Sequence, residues 1–105
     1  MSVGYPRFRE IDLAIEVDGS GNGSATFNGN IKIDTAVITP PSGSPSLDWE
    51  ICDRDGKGVD GDSNVVAEAV AVVERICVGN KNAFHIRNAS LSGSYTVRLR
   101  GESAV

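Results

Sequence analysis

Residues 10–17 read EIDLAIEV, in which aliphatic side chains occupy every second position from Ile11 to Val17. Successive side chains of a strand point to opposite faces of a sheet, so this alternation predicts a strand with one buried and one solvated face. Similar alternation occurs at residues 25–33, 47–52, 84–87 and 95–100. Parallel sheets are buried on both faces, whereas two packed antiparallel sheets bury one face of each strand. The sequence therefore predicts an all-β antiparallel β-sandwich, of jelly-roll or immunoglobulin-like type, with about seven strands.

Length and composition limit the class of protein. The 105 residues suffice for one domain but not for two independent cores, and twelve glycines and four prolines predict frequent turns. A net charge of −4 argues against nucleic acid as a partner, because phosphate binding depends on clustered lysine and arginine. The apolar stretches are too short to cross a membrane. We expect a single domain over residues 1–105, with residues 1–9 as an N-terminal arm.

Two stretches leave alternatives open. Residues 25–33 could form one strand, or two strands joined by a tight turn at Asn28-Gly29, and we favour one strand with a bulge at the glycine. Residues 65–74 combine alanines, which suit a helix, with valines, which favour a strand. We interpret this stretch as an irregular lead-in followed by a strand over about residues 70–78.

Charged side chains fall on the solvated faces of the predicted strands. Glu10, Asp12 and Glu16 make the outer face of the first strand acidic, and Asp48 and Glu50 carry the same sign. If the last two strands pair as a hairpin, one solvated strip collects His85, Arg87, Arg98 and Arg100. We favour cross-strand ion pairs within one molecule over contacts between strips on different subunits.

The sequence offers no recognisable catalytic group. A nucleophile needs a base within hydrogen-bond reach, and the only histidine, His85, lies between two apolar residues and is expected on the outer face of its strand. Trp49 alternates with two aliphatic residues, so a core position is favoured over a sugar-stacking role. We expect Cys52 and Cys77 to be free, partly buried thiols rather than a disulfide or zinc ligands. The chain is therefore predicted not to be an enzyme.

An aspartate-rich stretch is the candidate metal site. Asp53, Asp55, Asp60 and Asp62 are interspersed with glycines in a predicted turn and loop, and carboxylate oxygens are ligands that calcium prefers. The spacing departs from the EF-hand pattern, because Lys57 occupies a ligand position. Asp-Gly pairs are also common in simple hairpin turns. We therefore expect no cofactor and keep calcium binding by these aspartates as the alternative.

Three stretches resemble known families. Residues 47–57, LDWEICDRDGK, and 92–99, SGSYTVRL, resemble strand patterns of the bacterial pre-peptidase C-terminal domain, a secreted sandwich. Together with residues 29–33, GNIKI, they also resemble small β-sandwich proteins from the structural gene clusters of tailed bacteriophages. The resemblance covers roughly residues 27–100. The phage group is favoured, because the chain begins with methionine and shows neither a secretory signal pattern nor a fused enzyme.

The phage resemblance implies a virion component made in the host cytoplasm, such as a capsid decoration (cement) protein or a neck or tail accessory. Its partner would be the major capsid protein or another virion protein, and we expect a homo-oligomer that binds neither nucleic acid nor membrane. The alternative is a secreted calcium- or carbohydrate-binding β-sandwich module. The N-terminal arm, the turn around Asn22 and the loop 40–45 are the segments expected to make contacts. The residues predicted to contact a partner are Tyr5, Phe8, Pro40, Pro41, Arg87, Arg98 and Arg100.

Overall fold

The computed structural model describes residues 8–28, 31–66, 69–77 and 81–103, which form strands and their connections. Within these ranges, no helix has the length and apolar character needed to cross a membrane. The described strands are β1 (Phe8–Val17), β2 (Gly23–Phe27), β3 (Ile31–Thr39), β4 (Ser46–Cys52), β5 (Gly58–Val66), β6 (Ala69–Cys77), β7 (Asn82–Arg87) and β8 (Gly93–Ser103).

The strands form two four-stranded antiparallel sheets. Sheet A has the order β1-β8-β3-β6, and sheet B has the order β2-β7-β4-β5. The first strand pairs with the last, the second with the seventh, the third with the sixth and the fourth with the fifth. This is the pairing of one long hairpin, and the β3–β8 and β4–β7 ladders roll that hairpin into two sheets. The prediction of an all-β antiparallel fold is confirmed.

The inward faces of the two sheets share one hydrophobic core. The alternation in β1 places Leu13, Ile15 and Val17 in that core, as the sequence predicted. Trp49 of β4 is 4% exposed and stacks on Phe84 of β7, with ring centroids 5.7 Å apart. The core position predicted for Trp49 is therefore confirmed. Because both sheets contribute to one core, their packing is sandwich-like.

Residues 25–33 are not one strand, so the preferred prediction for this stretch is wrong. β2 ends at Phe27 in sheet B and β3 begins at Ile31 in sheet A, which means that the chain changes sheet between them. Gly29, the predicted bulge, lies outside the described residues. The register shift within β3 falls between Ile33 and Thr35. The alternation continues across the change of sheet because the inward residues of both strands enter the same core.

The hairpin of the last two strands, on which a single basic strip depended, does not form. β7 lies between β2 and β4 in sheet B, whereas β8 lies between β1 and β3 in sheet A, so they form no hairpin. Residues 58–66 form the edge strand β5 rather than the end of a turn and an irregular lead-in, which brings the described strands to eight. β6 agrees with the strand predicted over residues 70–78. β1 begins at Phe8, so Phe8 and Arg9 belong to a strand and not to an arm.

Three described connections meet at one end of the sheets. They are residues 18–22, 40–45 and 88–92, and we name them together the loop end. The amide of Ala89 donates to the carbonyl oxygen of Gly21 at 3.0 Å. The amide of Ser90 donates to the carbonyl oxygen of Ser46 at 2.9 Å, at the start of β4. Connections that are far apart in the chain are therefore joined through their backbones, while Phe8 lies at the opposite end.

Candidate functional site

The outer face of sheet A carries an ion-pair cluster around Arg98. Asp12 lies opposite Arg98 in the β1–β8 register, and its Oδ1 accepts a hydrogen bond from Arg98 Nε at 2.8 Å. Glu10 Oε2 lies 3.3 Å from the same nitrogen. The hydrogen bond from Arg98 lowers the pKa of Asp12 below its ordinary value of 3.8. The predicted cross-strand pairing within one molecule is confirmed on this face.

A groove of about 560 Å³ crosses the same face of sheet A. Its floor includes a row of small side chains, because Ala14 of β1 and Thr39 of β3 both lie opposite Thr96 of the central strand β8. The remaining residues that line the groove are Asp12, Leu13, Val37, Val97, Arg98 and Arg100. The groove therefore places hydroxyl, carboxylate and guanidinium groups beside short apolar side chains.

The outer face of sheet B carries a second polar cluster, around Glu50. Its Oε1 accepts from Arg87 Nη1 at 2.6 Å and from the Cys52 thiol at 3.4 Å. The hydrogen bond from Arg87 lowers the pKa of Glu50. His85 lies opposite Glu50 and is half-buried, and desolvation lowers its pKa. The outer position predicted for His85 is confirmed, and Arg87 is paired within the molecule.

Alternation along β4 points Cys52 to the outer face with Glu50, but the side chain is only 4% exposed. The β4–β5 register shifts between Ile51 and Cys52, and both of these neighbours are buried. Burial, together with the Glu50 carboxylate, raises the pKa of the thiol. Cys52 is a free, buried thiol, as predicted. The side chain of Cys77 lies outside the described part of the structure.

The four basic side chains predicted to share one strip do not meet. His85 and Arg87 lie on the outer face of sheet B, and Arg98 and Arg100 lie on the outer face of sheet A. The cause is that β7 and β8 belong to different sheets. Among the described residues, Arg98 and Arg87 form ion pairs and Arg100 forms none.

The four aspartates of the predicted metal site are divided between a turn and a strand. Asp53 Oδ1 accepts from the amides of Asp55 and Lys57, at 2.9 and 3.0 Å, and so closes the β4–β5 turn. Asp60 and Asp62 were predicted to lie in a loop. They lie instead on the edge strand β5. No group of three potential metal-ligating side chains is found within the described ranges. Calcium binding stays a prediction.

Acid should destabilise the fold through the carboxylates of Asp12 and Glu50. Their pKa values are lower in the folded chain than the ordinary 3.8 and 4.5. A group with a depressed folded pKa contributes stability that is present above its unfolded pKa and is lost as the pH falls through its folded pKa. We expect a free energy of unfolding that is steady above about pH 5 and falls below about pH 4.

The measurement is urea denaturation across that range, with Asp12→Asn as the test variant and Asp55→Asn as its control. Asp12→Asn should show a shallower loss of stability in acid, because the titrating carboxylate is gone. Asp55 is exposed and forms no ion pair among the described residues, so its variant should follow the wild-type curve. If the free energy of unfolding fell equally steeply with pH in Asp12→Asn and in wild type, the acid sensitivity would not come from the Asp12 carboxylate.

The loop end collects two of the segments predicted to make contacts. The turn around Asn22 and the loop with Pro40 and Pro41 both belong to it, whereas Phe8 is at the other end and 73% exposed. Tyr5 lies outside the described residues. The carboxylate of Asp18 is the charged side chain of this end, and its Oδ1 accepts from the amides of Ser20 and Asn22 at 2.9 and 3.1 Å. The other side chains here are serine, asparagine, proline, alanine and leucine.

The fixed geometry of this end was not anticipated from the sequence. The hydroxyl of Tyr95, at the start of β8, donates to the carbonyl oxygen of Leu91 at 2.6 Å. Ser90 Oγ accepts from the amide of Ser46 at 3.1 Å. The available signals were the turn-forming residues of 18–22 and 40–45, which predict turns but not that the turns meet. The groove on sheet A was missed for the same reason, since it needs three strands in register.

Comparison with models of known protein families found no match for this chain, and a search of curated proteins also found none.

Proposed function

We propose that this chain is a non-enzymatic structural protein of a virion. It acts as a capsid decoration (cement) protein, or as a neck or tail accessory, that binds repeated subunits of a virion lattice. The fold we propose is the jelly roll, since its strands pair in the order of one rolled hairpin, from β1 with β8 to β4 with β5. Viral capsid domains are one of the groups that use eight-stranded jelly rolls. The resemblance to small phage sandwich proteins supports the same function.

The loop end is the observation that carries the docking proposal. A backbone hydrogen bond from Ala89 to Gly21 joins two of its connections, 18–22 and 88–92, and a second bond runs from Ser90 to Ser46 at the start of β4. Ordered loops lose less conformational entropy on binding than mobile ones, so such a surface suits repeated docking on a lattice. Binding to the assembled shell would stabilise it by mass action. The proposal includes a homo-oligomer, because the exposed Phe8 at the opposite end is a suitable contact between copies.

The test is to add the purified chain back to virus particles that lack it. These particles are produced after the gene for this chain has been deleted. Purified wild-type chain should bind these particles saturably and sediment with them. A double variant, Ser20→Arg with Ser42→Arg, adds two charges to exposed positions of the loop end. We expect it to bind about tenfold more weakly or worse, because an interface would have to bury unpaired charges.

The control is Thr26→Arg, which adds the same kind of charge to an exposed position of β2, away from the loop end. It should bind as tightly as wild type. Equal binding of all three proteins would overturn docking through the loop end. Absence of the chain from purified wild-type particles, judged by mass spectrometry, would overturn the virion proposal itself.

A further inference from the structure

Two arginines on the outer face of sheet A, Arg98 and Arg100, differ in their ion pairs with the described residues. In the β1–β8 register Asp12 lies opposite Arg98, and Glu10 lies opposite Arg100. The carboxylate of Glu10 nevertheless lies 3.3 Å from Arg98 Nε, beside the Asp12 carboxylate at 2.8 Å. Arg98 therefore forms ion pairs with both Glu10 and Asp12, and Arg100 forms no ion pair with any described residue. Its guanidinium keeps its donors available in an exposed position.

The Arg100 guanidinium lines the groove of about 560 Å³. This volume is within the range of small-molecule binding sites. The hydroxyls of Thr39 and Thr96 lie in the same groove, and the short side chains of Ala14 and Val37 leave space above the sheet. A ligand with one anionic group, several hydroxyl groups and a small apolar face would match these groups.

A guanidinium binds a carboxylate through two parallel hydrogen bonds, which fixes orientation as well as charge. The floor of the groove is β8, whose backbone is paired with β1 on one side and β3 on the other. An extended peptide cannot add to a strand that is paired on both edges, so it would lose the main-chain bonds on which strand addition depends. Saccharide binding does not depend on a free strand edge, and a saccharide therefore suits this site better.

We propose that the sheet-A groove binds a carboxylate-bearing saccharide, with Arg100 holding the carboxylate and Thr39 and Thr96 bonding to ring hydroxyls. This site lies on the outer face of sheet A and includes no residue of the loop end, and the proposal does not rest on a function in a virion. The net charge of −4 disfavours general attraction of anions, so saturable binding of an acidic sugar would report a local site.

The probe is a galacturonic acid trisaccharide, titrated into the full chain and followed through backbone amide chemical shifts. The largest shift changes should fall on Ala14, Thr39 and Thr96. Arg100→Ala should weaken binding about tenfold, the usual effect of losing a charge-assisted bidentate contact. Thr96→Val keeps the branched shape but removes a hydroxyl, and should weaken binding by roughly three- to tenfold.

The matched control is Arg54→Ala, which removes an exposed arginine from the β4–β5 turn and should leave binding unchanged. Thermal unfolding of each variant verifies that the fold is intact. The neutral methyl ester of the trisaccharide should bind much more weakly than the acid. Equal binding of the ester, shift changes outside the groove, an equal effect of Arg54→Ala, or no saturation would each overturn the proposal. Tighter binding of triglutamate would replace the saccharide with an acidic peptide.

Discussion

Replacing Phe84 by alanine should lower the free energy of unfolding by about 3–5 kcal/mol, the usual cost of truncating a buried phenylalanine. The side chain is fully buried, and its ring stacks on Trp49 at a centroid distance of 5.7 Å with 4° between the ring planes. β7 lies between β2 and β4, so the cavity would open in the middle of sheet B. Such a loss is a large fraction of the roughly 5–15 kcal/mol that stabilises an ordinary domain.

The matched control is Phe8→Ala, because the same substitution then removes a ring that is 73% exposed. Exposed substitutions away from caps and networks usually change stability by less than about 0.5 kcal/mol. Chemical denaturation, followed by the fluorescence of Trp49, compares the two variants with wild type. Similar losses of stability from both variants would contradict the burial of Phe84 in the shared core.

The buried face of each strand could be predicted from local sequence, but its partner strand could not. Alternation in β1 identifies Leu13, Ile15 and Val17 as inward residues, and they are buried. The same pattern makes Phe84 and Tyr95 inward whether β7 and β8 pair with each other or lie in opposite sheets. Period-two alternation reports a face and not a neighbouring strand. The predicted faces are therefore right, although the hairpin considered for β7 and β8 does not form.

The candidate sites show the same division between local and long-range information. The opposite charges of β1 and β8 predicted ion pairs within the molecule, and Asp12 with Arg98 confirms this. Which acid pairs with which arginine depends on side-chain geometry across the ladder. The sequence therefore gave no signal that Arg100 forms no ion pair with the described residues. Alternation in β4 points Cys52 outward and does not reveal the register shift beside this residue, which interrupts the simple relation between alternation and exposure.

Gly101→Ala is the second substitution with a large expected effect, although it adds only one methyl group. Gly101 is buried in β8, with Arg9 of β1 opposite on one side and Ile33 of β3 on the other. A Cβ at this position would collide with the backbone carbonyl of Lys32 and would lie 3.0 Å from Ile33 Cα. The β3 register shifts directly after Ile33, so glycine allows β3 to approach β8 at its bulge. Backbone atoms cannot rotate away, and we expect a loss of about 1–3 kcal/mol or more.

Gly19→Ala is the matched control. It measures the effect on stability of replacing a glycine by alanine where no collision occurs. A Cβ at Gly19 meets no atom within 4 Å, and its backbone is not in the left-handed region. Alanine restricts the unfolded chain, so at a compatible site it should stabilise by about 0.4–1 kcal/mol. The same entropic gain acts at Gly101, which means that any net loss there understates the steric cost. Urea denaturation should therefore show opposite signs for the two variants. Equal stability of the two would mean that β3 does not approach β8 this closely, and the β3 bulge would then have to lie elsewhere.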